Sequence, residues 1–516
     1  MLPGAVTAIV AVAGLGTLIG LALTPETVAA HALGRPFQLL ISRWFFLGGA
    51  GVAVGASFVI SAIVVRVSPD VPRYPRLSLP GLPTRLLSWP LAVTGLVWWY
   101  GAIVAAIVIG GDSPVAGILF WIFIWVGLPI LSAVVGNPWP SLSPFRSTFA
   151  ILERLARFFG FDRLDLGLQY PAGLARWPAV FLLFAGVWSE LVMPDPSAPN
   201  TVAFMLVGYT LISLFGMACF GRVAWLRNAE LFEVLLGWFG RVGPIGRRVT
   251  DANACGGCGE HCDPDRCVDC PECAIAADAR ERRPELRPWF AGLTEVRRGG
   301  WSDAGFIVLA LAGVTYDGLR STSLWVTLTN WFFPYVYPAL DGFKALLVTG
   351  TAGLLAIWLA FLLAFTIGAT ITRLFSDRVR VAGTTLGGTV GAYAATLLPI
   401  AAGYFIAHYL TLVLQGIVWL PQLAHDPRTP APSLNAIPTY VIWYLSVGAI
   451  VLGHVAAIVL SHRIALRDAP SRPILAGIPL ALLMIGYTVL SLWIISQPLV
   501  VEPGQPSATG FLRLLI

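Results

Sequence analysis

The sequence predicts an all-α protein: a polytopic transmembrane helix bundle of about eleven spans, with a small cysteine-rich cytoplasmic metal-binding loop. Three observations lead there. Hydrophobic residues make up 57% and charged residues 12% of the 516 positions, with a mean hydropathy of +0.78. A soluble globule carries about 25% charged residues, so most side chains here must face lipid or one another. Apolar runs long enough to cross about 30 Å of hydrocarbon recur along the chain. One long polar segment interrupts them, and six of the seven cysteines lie within it, at 255–273.

Each run can be placed in order: 4–23, 44–65, 89–110, 115–135, 177–194, 201–220, 302–318, 345–369, 384–415, 438–460 and 474–496. Residues 1–23 lack a basic n-region and a clean small-residue cleavage site, so they read as a retained span and not as a signal peptide. Arginine marks alternate connections. Arg66, Arg73, Arg76 and Arg85 lie in 66–88, and Arg146, Arg154, Arg157, Arg163 and Arg176 in 136–176. Arg373, Arg378 and Arg380 lie in 370–383, and Arg463, Arg467 and Arg472 in 461–473. The turns 111–114 and 193–200 have none. By the positive-inside rule the N-terminus and the cysteine segment are cytoplasmic and the C-terminus is outside, in a cell membrane. The chain then divides into N-terminal spans (1–220), a cytoplasmic insert (221–300) and C-terminal spans (301–516).

Two inner-face segments are too short to span. In 145–160, Phe145, Phe149, Leu152 and Phe159 recur at helical spacing, and Glu153 can pair with Arg157 at i,i+4. In 228–239, Asn228 is the expected N-cap, Glu230 falls in the first turn, and an apolar run follows. Both fit helices lying in the interface, and the second fits a buried packing helix equally well. Aromatic residues crowd 325–343, an outer loop expected to form an interfacial belt or a re-entrant lid. The pairs Gly16/Gly20, Gly51/Gly55 and Gly387/Gly391 suggest close helix packing.

The cysteine segment reads C-x2-C-x3-C-x4-C-x2-C-x2-C. Its two C-x2-C pairs, Cys255/Cys258 and Cys267/Cys270, can present four thiolates tetrahedrally to zinc through two tight turns. Cys262, Cys273 and His261 exceed what one four-coordinate site needs. A reducing cytoplasm argues against disulfides. A structural zinc is the expectation, because metal binding can fold a loop with little apolar material. An iron–sulfur cluster is the alternative. Cys267, Cys270 and Cys273 match three ligands of such a run, but Ala277 stands where the fourth belongs. Cys219, alone in the sixth span, is expected in the core.

Ionisable groups inside hydrocarbon are costly and need an account. Glu190, Asp317 and His408 fall near the outer ends of the fifth, seventh and ninth spans, at similar depth. Two carboxylates and an imidazole could hold a divalent metal that activates water, or relay protons. Interfacial snorkelling is the plainer account for each alone, and Asp317-Gly318 is also a turn signal. His408 and His454 fall at different depths, which disfavours a haem between them; His454 reads as a packing histidine. The ninth span is long for a bilayer, and Pro399 and Gly403 offer a break at mid-membrane.

Several phrases occur together: Gly136-Asn137-Pro138-Trp139 with Ser143-Pro144, Trp188-Ser189-Glu190-Leu191 leading to Pro194-Asp195-Pro196, Thr315-Tyr316-Asp317-Gly318-Leu319, Ala407-His408-Tyr409, and Gly453-His454-Val455 leading to Ser461-His462-Arg463. In these the chain resembles the bacterial and archaeal membrane proteins named after fenitrothion hydrolase, over about 90–510. The resemblance implies an integral membrane protein and, as activity, hydrolysis of an organophosphate ester. It carries over no catalytic residues, and the family pattern does not call for the cysteine segment. Three functions stay open: a membrane-embedded hydrolase of esters or phosphotriesters, metal-assisted, using Glu190, Asp317 and His408; a transporter or metal-handling permease; and a membrane electron-transfer subunit. The expected partners are the lipid bilayer, an unspecified small-molecule substrate and subunits of a membrane complex. No basic stripe with interleaved aromatics supports nucleic-acid binding.

Overall fold

The computed structural model describes residues 26–29, 36–39, 43–65, 75–79, 84–250, 253, 268–269, 282–294, 299–377, 385–434 and 437–495. The expected first span, 4–23, and all seven expected metal ligands lie outside the described residues. Strands β1 (Glu26–Ala29) and β2 (Pro36–Leu39) pair antiparallel ahead of the first described helix, α1 (Arg43–Val64). There follow β3 (Leu77–Ser78), α2 (Thr84–Val108), α3 (Val115–Val134), α4 (Trp139–Leu142) and α5 (Pro144–Phe158). Next come α6 (Trp177–Leu191), α7 (Pro199–Phe220), α8 (Arg222–Asn228), α9 (Leu231–Gly240), β4 (Ile245–Val249) and β5 (Arg282–Leu286). The C-terminal half comprises α10 (Trp301–Arg320), α11 (Ser323–Val336), α12 (Gly342–Leu374), α13 (Leu386–Ala394), α14 (Leu398–Leu423), α15 (Thr439–Asp468) and α16 (Pro473–Ile495).

Among the described residues, nine helical segments are long and apolar enough to cross a membrane, which marks the chain as multi-pass. They correspond to nine of the expected runs. The run at 302–318 forms α10, which is not among the nine. Its 20 residues rise about 30 Å. Asp303, Asp317 and Arg320 dilute its hydropathy, and nearly every side chain on it is buried, so neighbouring helices and not lipid surround it. Its start is fixed where Gly300 N–H donates to Asp303 Oδ2 at 3.0 Å and Arg176 pairs with the same carboxylate.

Strands were not expected. β3, β5 and β4 form an antiparallel sheet in that order, with Gly246 and Ser78 both opposite Glu285. The sheet docks against the end of α3. Ile245 N–H donates to Val135 O at 2.8 Å, and a Cβ on Gly136 (φ +146°) would lie 2.1 Å from Ile245 O, so only glycine admits that approach.

Within α3, residues Ile118–Gly127 wind as a π-helix, a form that is rare and that clusters at functional sites. Pro129, which has no N–H to give, stands where α geometry resumes.

Several local expectations need correction. Arg157 donates to the Glu153 backbone carbonyl, and the Glu153 carboxylate pairs with Arg222 at 3.2 Å. Glu230, not Asn228, caps α9 by accepting from Phe232 and Glu233 N–H; Asn228 ends α8. α9 is a buried packing helix, with eight of its ten residues buried. The aromatic segment expected as a loop forms, up to Val336, the helix α11, none of whose residues is buried. The ninth run does break, though at Ala395–Leu397, a single 3-10 turn; Pro399 opens the helix that resumes. Gly403 serves contact instead: a Cβ there would lie 2.4 Å from Ala449 O, and one on Gly453 would lie 2.3 Å from Pro399 O. α14 and α15 thus meet backbone to backbone. Gly387 and Gly391 also permit close approach, to Trp301 and Gly299, whereas at Gly51 and Gly55 a Cβ would make ordinary contacts. Cys219 is buried, as expected.

Candidate functional site

Glu190 on α6, Asp317 on α10 and His408 on α14 converge, and the residue that joins them is Tyr409. His408 Nε2 lies 2.8 Å from Asp317 Oδ2. The Tyr409 hydroxyl donates to the same oxygen at 3.0 Å and reaches Glu190 Oε1 at 3.5 Å. Trp125, within the π-helix, donates its indole N–H to Glu190 Oε2 at 2.7 Å. The anionic oxygen fixes the hydrogen on His408 Nε2 and leaves Nδ1 as the basic nitrogen. One phenolic proton can serve one carboxylate at a time, and the shorter contact assigns it to Asp317. The group is accessible at its rim: the Asp317 side chain is 26% exposed and that of His408 11%. Arg320, exposed one turn beyond Asp317, stands over the Tyr316 ring at 6.0 Å and adds a positive charge at the mouth. Two Gly–aromatic contacts set the walls: a Cβ on Gly318 would lie 2.9 Å from the Tyr404 hydroxyl, and one on Gly353 2.2 Å from Trp325.

This arrangement can take a proton at His408 Nδ1 and hold the resulting imidazolium against Asp317. Among the described residues, no three His, Cys, Asp or Glu side chains form a group that could hold a metal ion. Asp317 and His408 face each other through Oδ2 and Nε2, which leaves Asp317 Oδ1 and His408 Nδ1 outside that contact.

A second polar centre went unexpected. Glu230 is fully buried, and its carboxylate receives four donors. Tyr209 O–H (2.5 Å) and Phe232 N–H (3.0 Å) donate to Oε1. Trp139 indole N–H (3.0 Å) and Glu233 N–H (2.7 Å) donate to Oε2. Burial pushes the Glu230 pKa up to about 7, against the opposing pull of the Tyr209 hydrogen bond. Trp99, Phe145 and Phe232 wall it in; the rings of Trp139 and Phe232 lie 5.1 Å apart and those of Trp125 and Phe232 6.3 Å. The signal available in the sequence was an acid with no apparent basic partner beside an apolar run, together with a tryptophan in Asn137-Pro138-Trp139.

The metal ligands expected at Cys255, Cys258, Cys262, Cys267, Cys270, Cys273 and His261 lie outside the described residues. The two residues between Cys267 and Cys270 are described, and both are held. Val268 is buried. Asp269, at φ +47°, donates its N–H to Arg247 O at 3.0 Å and accepts from Arg247 N–H and Arg287 Nη2 at 2.6 Å each.

Compared with known proteins, the chain matches no family model, no curated protein and no solved structure.

Proposed function

We propose that the protein is a membrane-embedded hydrolase of the fenitrothion-hydrolase-like type, acting on an ester or phosphotriester at the outer cluster. The observation that carries this reading is the 2.8 Å contact between His408 Nε2 and Asp317 Oδ2, at a partly accessible site. Water would give a proton to His408 Nδ1 as its oxygen bonds to phosphorus and the aryloxide departs. Asp317, which accepts from Tyr409, stabilises the imidazolium, and Glu190, held by Trp125, borders the site on the other side of Tyr409. Supporting the family reading, Trp139, Glu190, Asp317, His408 and Tyr409, all within the phrases that carry the resemblance, supply side chains to the two polar centres.

Purified protein is expected to turn over fenitrothion. His408→Ala should lower turnover on the order of 10²-fold or more, the usual worth of a general base, while the thermal midpoint stays unchanged. Equal turnover by wild type and variant would remove His408 from the chemistry.

The cysteine insert is proposed to hold one structural zinc on the cytoplasmic side, within about eleven spans that include α10 and 4–23. Its support lies in the two residues between Cys267 and Cys270 in the sequence: Val268 is buried, and Asp269 is bonded to Arg247 and Arg287. Metal analysis should find about one zinc per chain and no visible absorption; a brown protein would indicate an iron–sulfur cluster.

A transporter is the second reading. It is favoured by the 3-10 break at Ala395–Leu397 within the membrane-length segment Leu386–Leu423. Substrate-dependent uptake into proteoliposomes, without turnover, would favour it over hydrolysis.

A further inference from the structure

Beneath the outer cluster, buried protonatable groups continue down the seam between α14 and α15. The Tyr404 hydroxyl, one turn below His408, is fully buried and has no hydrogen-bond partner among the described residues. His454 is fully buried; its Nδ1 lies 2.8 Å from the Ile450 carbonyl, which makes that nitrogen the donor and leaves Nε2 without a partner among the described residues. Further in, Ser461 Oγ, His462 Nδ1 and, on α1, Ser61 Oγ are buried without partners among the described residues. His462 Nε2 reaches Val65 O, at the end of α1, at 3.4 Å.

The antiparallel register of the two helices sets the depth of each group. Ser446 Oγ donates to Ala407 O at 3.1 Å, Gly403 abuts Ala449, and Gly453 abuts Pro399. His408 therefore stands level with about Leu445, Tyr404 level with about Ala449, and His454 close to Pro399, near the 3-10 break. From the level of His408 to His462 is roughly 26 Å along α15, against about 30 Å of hydrocarbon. Along α1 after Arg43, along α14 and α16, and along α15 before Arg463, the sequence places no Asp, Glu, Lys or Arg. Mid-membrane proton exchange along this seam therefore falls to imidazole and hydroxyl groups.

Leaving a polar group unpaired in a dry core is costly, and ionisable groups kept within the membrane mark proton routes. The packing account covers half of each imidazole: one nitrogen of His454 and one of His462 is bonded to a carbonyl, and the other of each is not. We propose that His408, Tyr404, His454 and His462, with Ser461 and Ser61, form a water-bridged proton path across the membrane, from the Asp317 rim to the inner end of α1. A proton arriving through water adds to the bare nitrogen of an imidazole, a proton leaves that imidazole to the next water, and the side chain returns to its starting state. The net event is one H⁺ moved, with no oxidant or reductant, and its charge is balanced by a counter-ion flux.

The experiment uses full-length protein in pyranine-loaded proteoliposomes, with a potassium gradient and valinomycin supplying the compensating charge. Wild type is expected to move protons at least tenfold faster than protein-free vesicles. His454→Phe or His462→Gln should reduce that flux at least tenfold. The two substitutions lie at different depths, so misfolding of one leaves the other decisive. A wild-type flux equal to that of empty vesicles overturns the path, as does wild-type flux in both variants. Neither residue belongs to the hydrolytic dyad, so failure here leaves the turnover experiment untouched.

Discussion

Arg287→Ala is expected to destabilise the protein by about 3–5 kcal/mol, the usual cost of removing one partner from a buried charge pair. The guanidinium is fully buried between β4–β5 and the end of α9. It donates to Asp269 at 2.6 Å, to the carbonyls of Gly240 (3.1 Å) and Gly243 (3.3 Å), and to Glu285 at 3.4 Å. Burial raises the Glu285 pKa, and Arg76 and then Arg287 oppose that rise. Removing Arg287 would leave two carboxylates and two carbonyls facing a void. A Cβ on Gly246 would lie 2.3 Å from Arg287 Nη1, so the pocket is shaped to this side chain and lysine should not restore it. Thermal unfolding in detergent measures the loss; an Arg287→Ala midpoint equal to wild type would contradict the account. Because Asp269 loses one of its three hydrogen bonds, the content of the zinc proposed above should fall in the same variant.

Glu230→Ala should have a comparable effect, on the order of 4 kcal/mol. It deprives α9 of its N-cap and strands the Tyr209 hydroxyl and Trp139 indole N–H in an aromatic box, each at about 1–3 kcal/mol. Glu230→Gln should recover part of the loss, because its amide oxygen still accepts while its NH₂ opposes one pair of donors. The order wild type, Gln, Ala in unfolding midpoint is the expected result. Alanine matching wild type would mean that the four donors find water instead.

The membrane helices were legible because lipid demands the same thing of each: about 20 apolar residues. α10 was legible as an apolar run, but its position amid other helices was not, since burial against helices and burial against lipid leave the same composition. Glu190, Asp317 and His408 stood out because ionisable residues are rare in such runs. Their contact was invisible, because 91 residues separate His408 from Asp317. Tyr409 was visible beside His408 but not as the link to Glu190, and Trp125 carried no signal among the chain's 19 Trp. The β3–β5–β4 sheet was missed because Ile-Gly-Arg-Arg-Val does not alternate and Leu77-Ser78 is two residues long. At the start of α9, asparagine is the commoner cap, but burial gave that task to the one side chain whose two oxygens could also satisfy Trp139 and Tyr209.

The π-wound stretch of α3 clocks two distant places at once. Winding i→i+5 takes fewer turns per residue than α, so it sets the rotational phase of everything attached after Gly127. Trp125 inside the stretch meets Glu190, and Trp139 just past the helix meets Glu230. Rewinding those ten residues to the tighter pitch would swing both indoles off their carboxylates together, so the two polar centres share one gear.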